Sequence, residues 1–366
     1  MAVRAKPSGH WRRAYDDHRL LLAVAVVYCL AITVWALYWK VPAEDLLSVG
    51  GFFLMSVVFG IVFLSLMYVG VFISSLCSSD AKSFPARWKG ATGKMDEWAA
   101  EYLEGERLPY AVMGLLAASA GNFFFMSKSL VRIANPYALS GWDYICAQAD
   151  KFIHFGHYPH EFIIPLVNAL HLSQPLDILY AAWLVIMYVV AAWNIFADKH
   201  VHRRLRFLWT YLIAWIVLGS LGATYMSSVG PLFLHHFVPE HKDLYAGLVQ
   251  NFNDMTHSGF YVAAKTRVLL MKWTTSEHIF QPNALSAMPS MHVAVAWLMT
   301  LYAREINKKL FWISALFCFA VMVGTVYFGF HYAVDSYVSI PVVTLLWWLA
   351  GKGLDKQGLG KTKVLA

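Results

Sequence analysis

Two stretches carry residues whose types and spacing are suited to chemistry. The first is Ala287-Met288-Pro289-Ser290-Met291-His292; the second, about forty residues on, is His331-Tyr332-Ala333-Val334-Asp335. His331 and Asp335 are four apart, so on a helix they share a face and the carboxylate reaches one imidazole nitrogen. That contact fixes the tautomer and leaves the other nitrogen as a nucleophile or base. Pro289 and Ser290 suit the opening turn of a helix. The amides of such a turn, beside the His292 ring, make a cradle for phosphate, with Ser290 among its polar groups. The chemistry that follows is phosphoryl transfer. His331 attacks phosphorus, Asp335 orients its ring, and His292 protonates the leaving oxygen. Water or an alcohol then resolves a phosphohistidine, with His292 as the base.

Both stretches sit where a polar loop meets a long apolar run, so the elements that position them are membrane helices. Of the 366 residues, 59% are hydrophobic and only 14% charged, well below the roughly 25% charged residues of a soluble domain. The expectation is an all-α, polytopic membrane helical bundle with about eight transmembrane helices. The uncharged runs fall at 20–38, 51–76, 110–126, 178–196, 207–226, 287–303, 310–330 and 332–351. Two long segments, 127–177 and 227–286, are aromatic-rich and belong on the membrane surface or re-enter it. Asp335 lies about one turn inside the last run, where a carboxylate is costly and points to function. Pro341 predicts a kink there.

Charge sets the orientation. Of the 29 lysines and arginines, 21 fall in the segments that eight crossings place on the side of the termini. The positive-inside rule makes that side cytoplasmic. His292 and His331 then meet at the extracytoplasmic face of an inner or plasma membrane. The formal charge of +7 reflects this orientation and anionic lipid rather than a nucleic-acid partner. Cys29, Cys77, Cys146 and Cys318 are scattered, with no C-x-x-C pair, and imply neither a zinc knuckle nor a disulfide framework. The polar, basic N-terminus followed by an apolar run reads as a retained signal anchor. The domain reading is a two-helix segment with a cytoplasmic loop over 1–109, a catalytic membrane domain over 110–351, and a disordered basic tail over 352–366.

The P-S-x-H followed by H-x-x-x-D resembles the last two signature motifs of the type 2 phosphatidic acid phosphatases. Within that superfamily the closer likeness is to the inositol phosphorylceramide synthase-like (inositolphosphotransferase) branch and its bacterial relatives. Two more stretches are similar to that branch: Asp150-Lys151-Phe152-Ile153-His154-Phe155-Gly156 and Ser228-Val229-Gly230-Pro231. The resemblance covers roughly 127–350. It implies a six-helix phosphatase-like core, no metal and no cofactor, a membrane lipid phosphoester as substrate, and His331, Asp335 and His292 as nucleophile, orienter and acid/base.

The chain departs from the lipid phosphatases in two places. It lacks a clean K-x-x-x-x-x-x-R-P phosphate clamp, and it has Gly324-Thr325 where they carry Ser-Arg. Replacement cations are sought in Lys128 and Arg132, ahead of the Asp150 stretch, and in Lys265, Arg267 and Lys272, ahead of the sixth run. Two rival readings remain at this point. One is a lipid transporter or binding protein whose histidines titrate without catalysing; the other is a metal-dependent membrane hydrolase built on His235, His236 and His331.

Overall fold

The computed structural model describes residues 7–40, 43–81, 83–124, 127, 141–275, 285–359 and 363–365. The chain is all-α. Its main helices are α1 (Pro7–Tyr38), α2 (Ala43–Cys77), α3 (Phe84–Glu104), α4 (Arg107–Ser119), α5 (Trp142–Ile153), α6 (His160–Ala169), α7 (Ser173–Ala192), α8 (Val201–Ala214), α9 (Ala246–Ser258), α10 (Val262–Thr275), α11 (Met291–Ile306), α12 (Lys308–Tyr327) and α13 (Ala333–Lys356). α7 and α8 continue through π-helical turns, Trp193–Ala197 and Trp215–Gly222.

Six helices among the described residues are long and apolar enough to cross a membrane: Gly9–Tyr38, Leu54–Cys77, Ser173–Ala197, Val201–Tyr225, Lys308–Tyr327 and Ala333–Lys356. They coincide with six of the eight expected runs. The other two runs fall on shorter helices, α4 with 13 residues and α11 with 16. At 1.5 Å per residue α11 is about 24 Å long, less than the roughly 30 Å of a bilayer core. It needs no lipid-facing length, because neighbouring helices enclose it: Val293, Ala294, Ala296 and Leu298 have no exposed surface. The apolar runs of α1 and α2, by contrast, leave Val27, Val34, Leu54 and Ile61 outward, as lipid-facing helices do.

The two long segments between spans fold into α5 and α6, and into α9 and α10. Three buried aspartates dock them. Asp177, in α7, accepts from Val262 N at 2.7 Å and Ala263 N at 2.9 Å, the first turn of α10. Asp150, in α5, accepts from Ala333 N at 2.9 Å and Val334 N at 2.8 Å, the first turn of α13. Asp143 accepts from Val229 N and Gly230 N, each at 3.0 Å. The first turn of a helix leaves amides without intrahelical partners. Here the carboxylates that meet them come from another helix, so satisfying them also joins distant parts of the chain.

The opposite end of the bundle holds a cluster of ion-paired basic residues. Arg203 pairs with Asp198 at 2.6 Å, and Tyr302 donates to the same carboxylate at 2.8 Å. Arg206 pairs with Glu305, and Arg13 with Glu106. The C-terminal tail, expected to be disordered, is partly tied down. α13 runs to Lys356 through Pro341. Val201 N donates to Lys363 O at 3.1 Å, Leu365 N to Lys199 O at 2.8 Å, and Lys363 Nζ to Asp17 at 2.5 Å.

Asp150→Ala removes the acceptor of two buried amides and is expected to lower stability by about 1–3 kcal/mol. Asp150→Asn keeps one acceptor and should cost less. Burial pushes the Asp150 carboxyl up to about 6, outweighing the amide bonds from Ala333 and Val334. A carboxyl raised on folding holds its proton more tightly in the folded chain than in the unfolded one. Its contribution is full below about pH 4 and is lost as pH rises through about 6. Thermal unfolding in detergent micelles across that window should show the loss in wild type and not in Asp150→Asn.

Candidate active site

α11 starts where it does because Ser290 caps it: Ser290 Oγ accepts from Val293 N at 3.4 Å. That sets His292 in the first turn. α12 ends at Tyr327, and the chain turns at Gly329, whose φ of +71° lies in the left-handed region. α13 then opens at Ala333, with Asp335 accepting from Tyr332 N at 3.1 Å. The two motifs therefore meet at one end of the bundle.

His331 Nδ1 lies 2.7 Å from the carbonyl oxygen of Ala287 and 3.1 Å from Asp335 Oδ2. His331 Nε2 lies 3.3 Å from His292 Nδ1. The tautomers follow from the acceptors. A carbonyl cannot donate, so the hydrogen sits on His331 Nδ1. Nε2 then offers its lone pair, and in this pairing His292 Nδ1 is the donor. His331 is 6% exposed and Asp335 fully buried. The His292 ring packs against Tyr180 (centroids 4.9 Å apart, 16° between planes) and Trp183 (4.4 Å). Those two rings are three residues apart on α7 and so share a face.

A relay of hydrogen bonds puts the Ala287 carbonyl in place. Ala287 N donates to Ser228 O at 2.9 Å, and Met288 N to Ser228 Oγ at 3.0 Å. The Met288–Pro289 bond is cis. The 228–230 turn is fixed by Asp143, which also accepts from Tyr332 Oη at 2.8 Å. Gly230 has φ +87°, and a Cβ there would lie 2.8 Å from the Phe330 carbonyl oxygen. No other residue lets the turn approach the His331 segment so closely.

A cavity of about 640 Å³ opens at the histidines. His292, His331, Ala287 and Pro289 line one end, and Tyr180, Trp183 and Met187 carry it along α7. No lysine or arginine is among its described lining residues. Lys265 Nζ lies over the Phe260 ring at 4.6 Å. Arg267 donates to Asn253 Oδ1 at 2.6 Å and lies over Phe252 at 5.5 Å. Neither lines the cavity, although Thr266 between them does. Ser290 is fully buried beneath the first turn. Lys128 and Arg132 lie outside the described residues. His235 and His236 pack ring to ring at 3.9 Å, and among the described residues no three His, Cys, Asp or Glu side chains gather as a metal-ligand set.

The structure thus brings His292, His331 and Asp335 together. It also shows positioning groups that the motifs do not point to: Asp143, Asp177, Tyr180 and Trp183. Tyr180 and Trp183 sit in an apolar span where aromatic residues are ordinary, so nothing in their spacing sets them apart. Asp177, an acid at the edge of that span, is the one a sequence reading could have singled out.

A family model described as PAP2 superfamily, the type 2 phosphatidic acid phosphatases, matches residues 147–349, more than half of the chain. The chain belongs to the PAP2 superfamily. No curated protein and no solved structure matches it. The matched PAP2 region contains both histidines, Asp335, Asp150 and Asp177; α1 to α4 and Asp143 precede it.

Ser228→Ala leaves the buried Met288 amide without its acceptor and loosens the carbonyl that holds His331. Stability is expected to fall by about 1–3 kcal/mol. A lowered unfolding midpoint in detergent micelles would register it, and a midpoint equal to that of wild type would mean that Ser228 does not set the loop.

Proposed function

We propose that this PAP2-superfamily membrane protein is a lipid phosphatase or phosphotransferase working through a phosphohistidine on Nε2 of His331. The single observation that carries the reading is the pair of acceptors facing His331 Nδ1, which assigns the hydrogen to that nitrogen. With that nitrogen held by Ala287 O and Asp335, the Nε2 lone pair faces the cavity and the second histidine. In the first step Nε2 attacks phosphorus, an N–P bond forms and the P–O bond to the leaving group breaks. The departing oxygen takes its proton from His292. In the second step water or a lipid alcohol gives its proton to His292 and attacks phosphorus, and the N–P bond breaks. The substrate has to part the two rings, which stand 3.3 Å apart. The opening amides of α11 stabilise the non-bridging oxygens as charge shifts, and Lys128, Arg132, Lys265 and Arg267 remain the candidate cations. No metal is needed for either step.

Between transferase and phosphatase, the looser motifs and the missing Ser-Arg favour the inositol phosphorylceramide synthase-like branch. The proposed topology counts α4 and α11 as crossings, giving eight, with 110–351 as the catalytic domain. Both termini lie in the cytoplasm and the site faces outward from the inner or plasma membrane. Support comes from the basic cluster of Arg203, Arg206 and Lys363, which lies at the end of the bundle opposite the histidines.

The test is an assay of purified protein in lipid micelles without added metal. The substrates are phosphatidic acid, phosphatidylinositol with ceramide, and a polyprenyl pyrophosphate, with both free phosphate and new lipids followed. Free phosphate marks a phosphatase; a new phospholipid without it marks a transferase. His331→Ala is expected to lose at least about 10³-fold in kcat, and Asp335→Asn about 10²–10⁴-fold. A chelator should have no effect, and vanadate, which mimics five-coordinate phosphorus, should inhibit. Equal turnover by wild type and His331→Ala would overturn the mechanism, and loss of activity with chelator would turn attention to a metal on His235 and His236.

A further inference from the structure

The cavity does not end at the family-matched helices. Along α7 its wall runs from Tyr180 to Tyr188, eight residues or about 12 Å of helix. Towards α2 it is lined by Met55 and Phe59, each with an outward face as well (37% and 45% exposed), and by Tyr211 of α8. α2 precedes the matched residues 147–349 altogether. It rests on the bundle through a few contacts at this spot. The Phe59 ring stacks flat on Tyr188 (5.1 Å, 4°), Asn122 Nδ2 donates to Ser56 Oγ at 2.8 Å, and Phe63 meets Phe196.

We infer that this apolar shaft takes the hydrocarbon chain of the phosphate-bearing lipid, and that Phe59, from outside the matched region, sets how long a chain is accepted. The inference rests on the phosphoester reading above. Three observations fix the occupant. The shaft is continuous with the two histidines, so its contents are tied to whatever reacts there. Its deep half is aromatic and apolar, which suits a hydrocarbon and not a head group. It lies between membrane-crossing helices, where lipid chains are the neighbouring molecules. The Phe59–Tyr188 stack forms part of the wall at this end. Phe59→Ala removes a ring from that wall and leaves room for a longer chain.

The experiment compares dodecyl phosphate and octadecyl phosphate at fixed surface concentration in mixed micelles. Consumption is measured for wild type, Phe59→Ala and Val58→Ala, the last a lipid-facing change on the same helix. The ratio of kcat/KM for octadecyl over dodecyl phosphate is expected to rise about tenfold in Phe59→Ala and to stay at the wild-type value in Val58→Ala. An unchanged ratio in an active Phe59→Ala overturns the inference. In parallel, wild type is irradiated with dodecyl phosphate carrying a terminal diazirine, and the adducts are mapped by mass spectrometry. Label on the Met55–Phe59 and Tyr188 peptides supports the shaft. Label elsewhere overturns it. Absence of turnover with all proteins alongside label at Phe59 and Tyr188 would retain the shaft and remove the catalytic reading.

Discussion

The hydrogen on Nδ1 of His331 is shared between a carbonyl that can only accept and a carboxylate four residues ahead. Because both acceptors lie on the same side of the ring, the opposite nitrogen is left facing His292. The carboxylate comes from the first turn of α13, which begins two residues after His331, and would be delivered by almost any helix beginning here. The carbonyl is the demanding part. Ala287 belongs to a loop that approaches from another part of the chain, and its register depends on Ser228, whose turn depends in turn on Asp143. Tyr332 closes the circuit by donating to Asp143. The ring orientation is therefore a property of four chain segments at once, held by bonds made before a substrate arrives.

This arrangement answers an electrostatic problem. Asp143, Asp150 and Asp335 are all buried near the site, and a buried carboxylate without partners is very costly. The chain offsets part of the cost with backbone amides rather than with cations. Each carboxylate accepts at least one amide at a loop or helix start. Among the described residues no arginine or lysine stands at the wall to attract the wrong anion. Accepting amides in this way also ties the first turn of α13 to α5, so His331 cannot move without disturbing both.

The grouping of His292, His331 and Asp335 was legible in the sequence because it is local: H-x-x-x-D puts the carboxylate in the turn that follows the histidine, and P-S-x-H is a helix start. The six longest spans were legible from apolar length alone. What was hidden is what depends on contact between segments far apart. Asp143 reads as one more acid in a polar stretch until the Val229 and Gly230 amides are found on it. Tyr180 and Trp183 look like packing residues, and only the His292 ring packed against them shows otherwise. The lengths of α4 and α11 were not legible, because composition does not report where capping and a 3-10 turn set a helix end. Lys265 and Arg267 were sought as a clamp because charge near a site is visible in sequence, whereas the side chains of Phe260, Phe252 and Asn253 that engage them are not.

The same features bear on where binding energy comes from in the proposed reaction. A phosphate held mainly by charge would need fixed cations at the wall, and the described lining of the cavity has none. Helix-end amides contribute, but each such interaction is worth only about 0.3–1 kcal/mol in exposed settings and more when water is excluded. The larger resource is the apolar shaft, because burying hydrocarbon yields about 0.8 kcal/mol per methylene. A chain seated there delivers its phosphate to the histidines and can supply the work of separating the two rings. Binding energy gained at a remote, unreactive part of the substrate is then spent at the reacting centre. On that account the wall contributed by α2 belongs to the reaction as much as the histidines do, since it decides how much of the chain is buried when phosphorus reaches Nε2.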